Sequence, residues 1–200
     1  NGVWTKSGPH PGKYFDFERR VFSSLESIAD FIKGAGTNKS FVNGGLETKK
    51  VTNTERKSKD DGGALVEVDS SVLFADIDGL KIHEATMTDH GGLRGVVQKE
   101  ISRLPKWLSN SEHFVYFTSG TRPVTTEGIT VWIVGLRVVW VLDRPVSLAS
   151  FRRYAKHRKL PLDTAVYNRG QLIAMSKPLG ADPLPSEARY MRFRGEPLAS

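Results

Sequence analysis

Residues 70–80 read SSVLFADIDGL, a stretch in which a short apolar run leads directly into two acidic residues. Val72 to Ala75 have the composition of a buried β-strand, and Asp76 and Asp78 follow with one isoleucine between them. Because alternate residues of a strand point to one face, both carboxylates are predicted to project on the side that carries Val72 and Phe74.

Two carboxylates so close together raise the question of what compensates their charge. Ionised carboxylates repel each other and are costly to bury without a cation. A hard divalent ion such as Mg²⁺ or Mn²⁺ prefers oxygen ligands placed in this way. The alternative is a strand that ends in a polar turn, since Asp before Gly is also common in turns.

The length and composition are those of a globular protein with 38% hydrophobic and 26% charged residues. We expect 200 residues to form one domain of two lobes, residues 1–200, around a sizeable core. The chain starts with Asn1 and no signal-peptide pattern opens it, so we expect a piece excised from a longer protein. No apolar run approaches the roughly 20 residues of a membrane-spanning helix, so no membrane partner is expected.

Cysteine is absent from the sequence. This excludes disulfide scaffolds, thiolate metal sites and cysteine nucleophiles, and makes a reducing, intracellular and cytoplasmic setting the expectation.

The net charge of +7 favours an anionic partner. Residues 151–200 contain ten Lys and Arg against four Asp and Glu, a net charge of +6, and the densest run is RRYAKHRK, residues 152–159. Arg152, Arg153 and Lys156 are therefore candidates for binding nucleic-acid phosphates. A merely solvated helix face is the alternative for this run.

The order of patterns along the chain predicts an α+β or mixed α/β class. A polar, glycine-flanked segment, residues 43–63, is predicted to be a loop. Gly135 is predicted to break or bulge a long β stretch, and Ser147 to cap a helix. The predicted helices are residues 17–36, 93–108 and 146–159, and the predicted strands are residues 70–80, 113–119, 129–143 and 171–176, the last followed by a Pro-rich, basic tail.

Two later segments extend the pattern of residues 70–80. They are GLRVVWVLDRPVS, residues 135–147, and LPLDTAVYNRGQLIAMSKP, residues 160–178. In this order the chain resembles the archaeo-eukaryotic primase superfamily, especially the primase-polymerase domains of phage and plasmid replication proteins. The resemblance covers residues 64–185.

That superfamily has a strand-borne Asp-x-Asp, then a small-x-His element, then an apolar residue followed by a third Asp. Asp76 and Asp78 match the first element, and Asp163, preceded by Leu162, matches the third. The second element departs, because Arg137 stands in place of the histidine that contacts the phosphates of the incoming nucleotide. An arginine is always charged and can bind phosphate bidentately, so phosphate binding is compatible with the replacement.

The resemblance implies a primase catalytic core, in which an amino-terminal α/β unit packs on an RRM-like unit and the active site lies in the cleft. It implies template-directed synthesis by a DNA primase or primase-polymerase, with NTP or dNTP substrates, a single-stranded DNA template and a helicase on the same or another polypeptide as partner. Asp76, Asp78 and Asp163 are then the catalytic residues and the ligands of two Mg²⁺ or Mn²⁺ ions.

The residue types fit this chemistry independently of the resemblance. Nucleotidyl transfer uses two cations that clamp the attacking 3′ oxygen and the leaving pyrophosphate, and three carboxylates are a suitable ligand set. Basic and hydroxyl side chains must hold the triphosphate, and the candidates for nucleotide binding are Arg137, Lys177, Ser119 and Arg122.

Two other function classes stay open at this point. A metal-dependent nuclease would use the same carboxylates and basic surface without a nucleoside triphosphate. A non-catalytic, RRM-like module would bind single-stranded nucleic acid and would bind it equally well in EDTA.

Overall fold

The structure is a computed structural model that describes residues 14–16, 20, 22–35, 40–42, 45–46, 53–55, 65–168, 172–174, 184 and 186–195. Its strands are β1 (Tyr14–Asp16), β2 (Ser40–Val42), β3 (Gly45–Leu46), β4 (Asn53–Glu55), β5 (Leu65–Val66), β6 (Asp69–His83), β7 (His113–Phe117), β8 (Arg122–Thr126), β9 (Ile129–Ser147), β10 (Leu172–Ala174) and β11 (Tyr190–Phe193). Its helices are α1 (Leu25–Gly34), α2 (Glu84–Thr88), α3 (His90–Ile101), α4 (Lys106–Ser109), α5 (Leu148–His157), α6 (Ser186–Arg189) and a 3-10 helix (Thr164–Tyr167).

A five-stranded antiparallel sheet organises the described chain. Its order is β11-β7-β9-β6, and β8 forms a hairpin with the first residues of β9. Strand β9 is central because its apolar residues Val134, Leu136, Val138 and Trp140 are all buried. The fold is therefore α+β, as the sequence predicts.

The two faces of this sheet bury different sets of side chains. One face packs against α2, α3, α4 and α5 in a large cluster that includes Leu73, Val138 and Trp140. The other face packs against α1 and includes Phe74 and Val139. From Leu73 to Ile77 the odd-numbered residues of β6 therefore face the four-helix layer, and the even-numbered ones face α1. After the register shift between Ile77 and Leu80 this order reverses, and Leu80 and Ile82 pack in the four-helix cluster.

The first helix is shorter than predicted. α1 begins after Ser24, whose side-chain oxygen accepts a hydrogen bond from the backbone N–H of Ser27, while the backbone N–H of Ser24 donates to the hydroxyl oxygen of Ser27. This capping box fixes the start of the helix at Leu25, so the apolar periodicity continues upstream of the helix itself. The predicted cap of α5 is confirmed, since Ser147 accepts from the N–H of Ser150.

Several other predicted boundaries were wrong. The strand at residues 70–80 does not end in its carboxylates but continues to His83. The predicted helix at residues 93–108 is two helices, because Pro105 cannot donate to a continuing helical ladder. The segment at residues 43–63, predicted as a loop, contains β3 and β4, and the predicted basic tail contains α6 and β11.

No helix in the described part of the chain is both long enough and apolar enough to cross a membrane.

The buried His113 makes the stability of the fold depend on pH. Its ring stacks on that of Phe193, with 4.9 Å between centroids, and burial lowers its pKa below the ordinary 6.5. The unfolded chain therefore binds the proton more readily, so the free energy of unfolding falls as pH drops below about 6.5.

We expect the melting temperature of His113→Phe to fall less than that of the wild type between pH 7 and pH 5. The exposed-site control His157→Gln should follow the wild type, and parallel curves for all three proteins would contradict the prediction.

Candidate functional site

Asp76 and Arg137 form an ion pair across β6 and β9. The two residues are direct partners in the register of these strands, on the face that also carries Phe74. The Nη2 atom of Arg137 donates a hydrogen bond to Oδ2 of Asp76 at 2.7 Å. Asp76 is only 6% exposed, so its charge is compensated inside the protein by an arginine. Arg137 therefore supplies part of the positive charge that the two neighbouring carboxylates require.

The second oxygen of the same carboxylate is in a different situation. Oδ1 of Asp76 is buried and accepts no hydrogen bond from the residues that the structure describes. A buried carboxylate oxygen without a donor is costly, and such groups require a specific explanation. This oxygen is the strongest indication of a ligand at the site.

Asp78 lies at a β-bulge. Between the pairs Ile77–Leu136 and Leu80–Val134, the two residues Asp78 and Gly79 of β6 oppose the single Gly135 of β9. Gly79 has a φ of +75°, a left-handed conformation that glycine adopts without strain. The irregularity predicted at Gly135 is therefore a bulge on the opposite strand, and β9 runs through Gly135 without interruption.

The absence of a side chain at Gly135 makes room for Asp78. A Cβ atom at this position would lie 2.6 Å from Oδ1 of Asp78 and would also clash with Oγ1 of Thr118. Asp78 therefore projects over β9 on the face of Arg137, and the two aspartates share a face as predicted.

A turn after β7 is tied to the same glycine. The backbone N–H of Thr118 donates to the carbonyl of Gly135 at 2.8 Å, and Oγ1 of Thr121 both donates to that carbonyl and accepts from the N–H of Gly135 at 3.3 Å. Thr121 is buried. The turn at residues 118–121 is thus held against the floor of the site, beside the carboxylate of Asp78.

Asp163 reaches the site through its backbone. Its N–H donates to the carbonyl of Asp76 at 3.0 Å, and the hydroxyl of Tyr167 donates to the carbonyl of Phe74 at 2.6 Å. These two bonds place the 3-10 helix along the edge strand β6 and cover its exposed carbonyls. The side chain of Asp163 is exposed and caps this helix, accepting from the N–H of Ala165 at 2.8 Å. The backbone of Asp163 therefore lies next to that of Asp76, and its carboxylate caps the 3-10 helix.

The pKa of Asp78 is shifted by burial and by the charges of the other two aspartates. The pKa of Asp78 is raised above its ordinary value of 3.8, first by burial and then by repulsion from Asp76, while Arg137 opposes the shift and Asp163 adds to it. Burial also raises the pKa of Tyr116, beside Arg137, to about 12. The site therefore has more negative charge than Arg137 alone neutralises.

A divalent cation fits the donor chemistry of this site. Asp76 and Asp78 offer only oxygen, which Mg²⁺ and Mn²⁺ prefer, and Oδ1 of Asp76 is a buried acceptor without a donor. The fit has two limits. Arg137 occupies Oδ2 of Asp76, and no group of three or more His, Cys, Asp or Glu side chains in the described residues could together hold an ion. A metal would be held by Asp76 and Asp78, and the three-carboxylate ligand set stays a prediction.

The four residues predicted to bind the nucleotide differ in how close they lie to the aspartates. Arg137 lies within the site and is paired with Asp76. Ser119 belongs to the turn that contacts Gly135. Arg122 is exposed and its Nη1 donates to the carbonyl of Gly120 at 3.3 Å, which closes that turn. Lys177 lies outside the described residues.

The basic helix is on the other side of the sheet from the aspartates. α5 buries Leu148, Phe151 and Ala155 against the four-helix face, whereas Asp76 and Arg137 are on the face of α1. Arg152 is half-buried, and Arg153 and Lys156 are exposed. The structure therefore does not bring Arg152, Arg153 and Lys156 to the carboxylates.

Sequence reasoning did not identify Tyr116, Thr118, Thr121 and Tyr167 as parts of the site. The signal available for the two threonines was the TSGT run directly after a strand. In the sequence, each of the two tyrosines is only an aromatic residue in an apolar segment. Strand pairing places Tyr116 at the site, and the fold of residues 160–168 places Tyr167 there.

No protein-family model, no curated protein and no solved structure matches this chain. The primase resemblance therefore rests on the motifs at residues 76–78, 135–137 and 162–163, and the activity that it implies is a proposal.

Proposed function

We propose that this chain is a metal-dependent nucleotidyltransferase: a DNA primase or primase-polymerase that copies a single-stranded template in the replication of a phage, plasmid or other mobile element. One observation carries the proposal. The backbone N–H of Asp163 donates a hydrogen bond to the carbonyl of Asp76, and in addition to burial the negative charges of Asp76 and Asp163 both raise the pKa of Asp78. Oδ1 of Asp76 is buried and has no hydrogen-bond donor among the described residues. The ion pair with Arg137 accounts for Asp76 and the helix cap accounts for Asp163, so the carboxylate of Asp78 beside them requires another reason.

In this proposal the chain supplies the ligands and their positioning. Bound Mg²⁺ or Mn²⁺ supplies neutralisation of charge on the attacking 3′ oxygen and the leaving pyrophosphate. Asp76 and Asp78 would hold the metal, and Asp163 would be the third ligand. Arg137 orients Asp76 through its 2.7 Å hydrogen bond, and its positive charge would attract a phosphate to the site. Ser119 and Arg122, in the turn beside Gly135, and Lys177 contribute to the triphosphate site.

The finer architecture belongs to the same proposal. The order strand β6, helices α2 to α4, strands β7 to β9 and helix α5 supports an RRM-like unit, and α1 packed on the opposite face of the sheet supports an amino-terminal unit. The cleft between the two units would contain the aspartates. A helicase would be the natural partner of such a unit.

Incubation with single-stranded DNA template, labelled nucleotides and Mn²⁺ tests the proposal. We expect extended oligonucleotide products from the wild type and a loss of several orders of magnitude with Asp76→Asn or Asp163→Asn. Asp143→Asn is the matched control, because Asp143 is an exposed aspartate on the same strand as Arg137. Shortened templates in place of extended products would indicate the nuclease, and activity that survives Asp76→Asn would contradict the proposed site.

A binding module without chemistry is the second candidate, and a specific contact favours it. The Asp76–Arg137 pair and the cap that Asp163 forms with Ala165 already give both carboxylates structural roles. This candidate predicts template binding that is unchanged in EDTA and no products under any metal. Tight, metal-dependent binding of dNTP or NTP would exclude it.

A further inference from the structure

The four-helix face of the sheet carries an exposed aromatic side chain. Trp107, in α4, is 43% exposed, while Trp132 and Trp140 are buried. The Trp107 ring lies 6.5 Å from that of Tyr154 in α5, and 6.2 Å from the buried Phe151. The indole is therefore supported from below by α5, and 43% of the residue remains accessible.

Cations surround this aromatic group. The guanidinium of Arg158 lies over the Tyr154 ring, 6.0 Å from its centroid. The segment from Leu148 to Lys159 contains five Lys and Arg and no Asp or Glu. Lys106, directly before Trp107, is also exposed. Phe151 and Tyr154 lie in α5 and Arg158 caps its end, and because these residues are three and four positions apart, the ring and the cation form a continuous strip.

We propose that Trp107, Tyr154 and Arg158 form a platform that binds single-stranded nucleic acid by base stacking. The strand lies along α4 and α5, on the opposite side of the sheet from Asp76. The inference shares nucleic acid as partner with the proposed function, but it depends on neither a metal nor the carboxylates.

The chemistry of the strip selects this ligand. Lys106, Arg158 and the other cations of α5 match a phosphate backbone, and an accessible indole matches the exposed face of an unpaired base, whatever its sequence. A duplex hides its base faces in the stack, and an acidic peptide would use the cations without the indole. An aromatic group within a basic surface therefore favours a single strand.

The test measures the binding of labelled oligo(dT) in EDTA, where no metal contributes. We expect Trp107→Ala to weaken binding by about 5-fold to 100-fold, the loss of one stacked base, and Trp107→Phe to retain most of it. Arg158→Gln should instead lower the slope of log affinity against log salt by about 0.7. Ile129→Ala is the matched control, because Ile129 is an exposed apolar side chain on the distant β8–β9 hairpin.

An abasic oligonucleotide of the same length separates stacking from charge. We expect the wild type to bind the abasic oligonucleotide more weakly than it binds oligo(dT). The Trp107→Ala protein should bind the two oligonucleotides with equal affinity. Equal binding of both probes by the wild type, or an unchanged affinity in a Trp107→Ala protein with normal thermal unfolding, would overturn the platform. Asp76→Asn should leave binding intact, so failure of the proposed catalysis and failure of this platform give different results.

Discussion

Arg137→Leu is expected to lower the free energy of unfolding by about 3–5 kcal/mol, because it leaves the buried Asp76 carboxylate without its partner. Asp76 is 6% exposed and already has one oxygen without a hydrogen bond, so the variant would bury a charge with no compensation on either oxygen. Chemical denaturation in EDTA at pH 7 measures the change.

An exposed ion pair provides the control for Arg137→Leu. The pair of Arg192 and Glu112 has a similar distance of 2.8 Å, but its side chains are 46% and 37% exposed. We expect Arg192→Leu to cost less than about 1 kcal/mol. The double variant Asp76→Leu/Arg137→Leu should recover most of the loss, since a buried ion pair is replaceable by apolar residues of similar volume. A double variant no more stable than Arg137→Leu would contradict the assignment of the loss to an unpaired charge.

The same variant reports on the metal. Without Arg137, the charge of the buried Asp76 carboxylate is uncompensated and a bound cation would stabilise it, so Mn²⁺ should raise the melting temperature of Arg137→Leu more than that of the wild type, following RT ln(1 + [M]/Kd). Adding Asp78→Asn should remove most of this gain. If Mn²⁺ stabilises neither protein, the carboxylates do not hold a divalent ion, and the binding module without chemistry becomes the better proposal.

Gly135→Ala is expected to reduce synthesis by about 100-fold or more while leaving the protein folded. The new methyl group would lie 2.6 Å from Oδ1 of Asp78, too close for the carboxylate to keep its position, and would also clash with Oγ1 of Thr118. Both obstructing atoms end rotatable side chains, so the fold can adapt at a cost of about 1–3 kcal/mol. Displacing a catalytic group by about 1 Å is enough for an effect of this size on rate.

The control for Gly135→Ala is the same substitution at a site with open space. Gly95 lies on the exposed face of α3 and has no atom within 4 Å of an added Cβ. Gly95→Ala should stabilise the helix by about 0.5–1 kcal/mol and leave synthesis unchanged. Nucleotide incorporation and the shift in melting temperature with Mn²⁺ are measured for both variants. A Gly135→Ala protein with normal Mn²⁺ response and normal synthesis would show that the position of Asp78 is irrelevant to function.

The features that the sequence determined by itself are those encoded over a few neighbouring residues. The apolar run of residues 72–75 is sufficient to predict a strand, and the strand period then predicts the shared face of Asp76 and Asp78, because side-chain direction in a strand alternates from residue to residue. The start of α5 is likewise local, since Ser147 caps the helix through a residue three positions away. The α+β class follows from the succession of such segments.

The features that only the tertiary structure decided depend on which distant segments meet. Arg137 is 61 residues from Asp76, and their ion pair exists because the β6–β9 register makes them direct partners. The bulge at Asp78 and Gly79 depends on the same register, although the sequence placed the irregularity at Gly135. The position of Asp163 beside Asp76 depends on a backbone bond at the edge of the sheet. Local sequence determines to which face of its own strand a side chain points. Strand pairing and edge contacts determine which distant residues it contacts, and the candidate site consists of such long-range contacts.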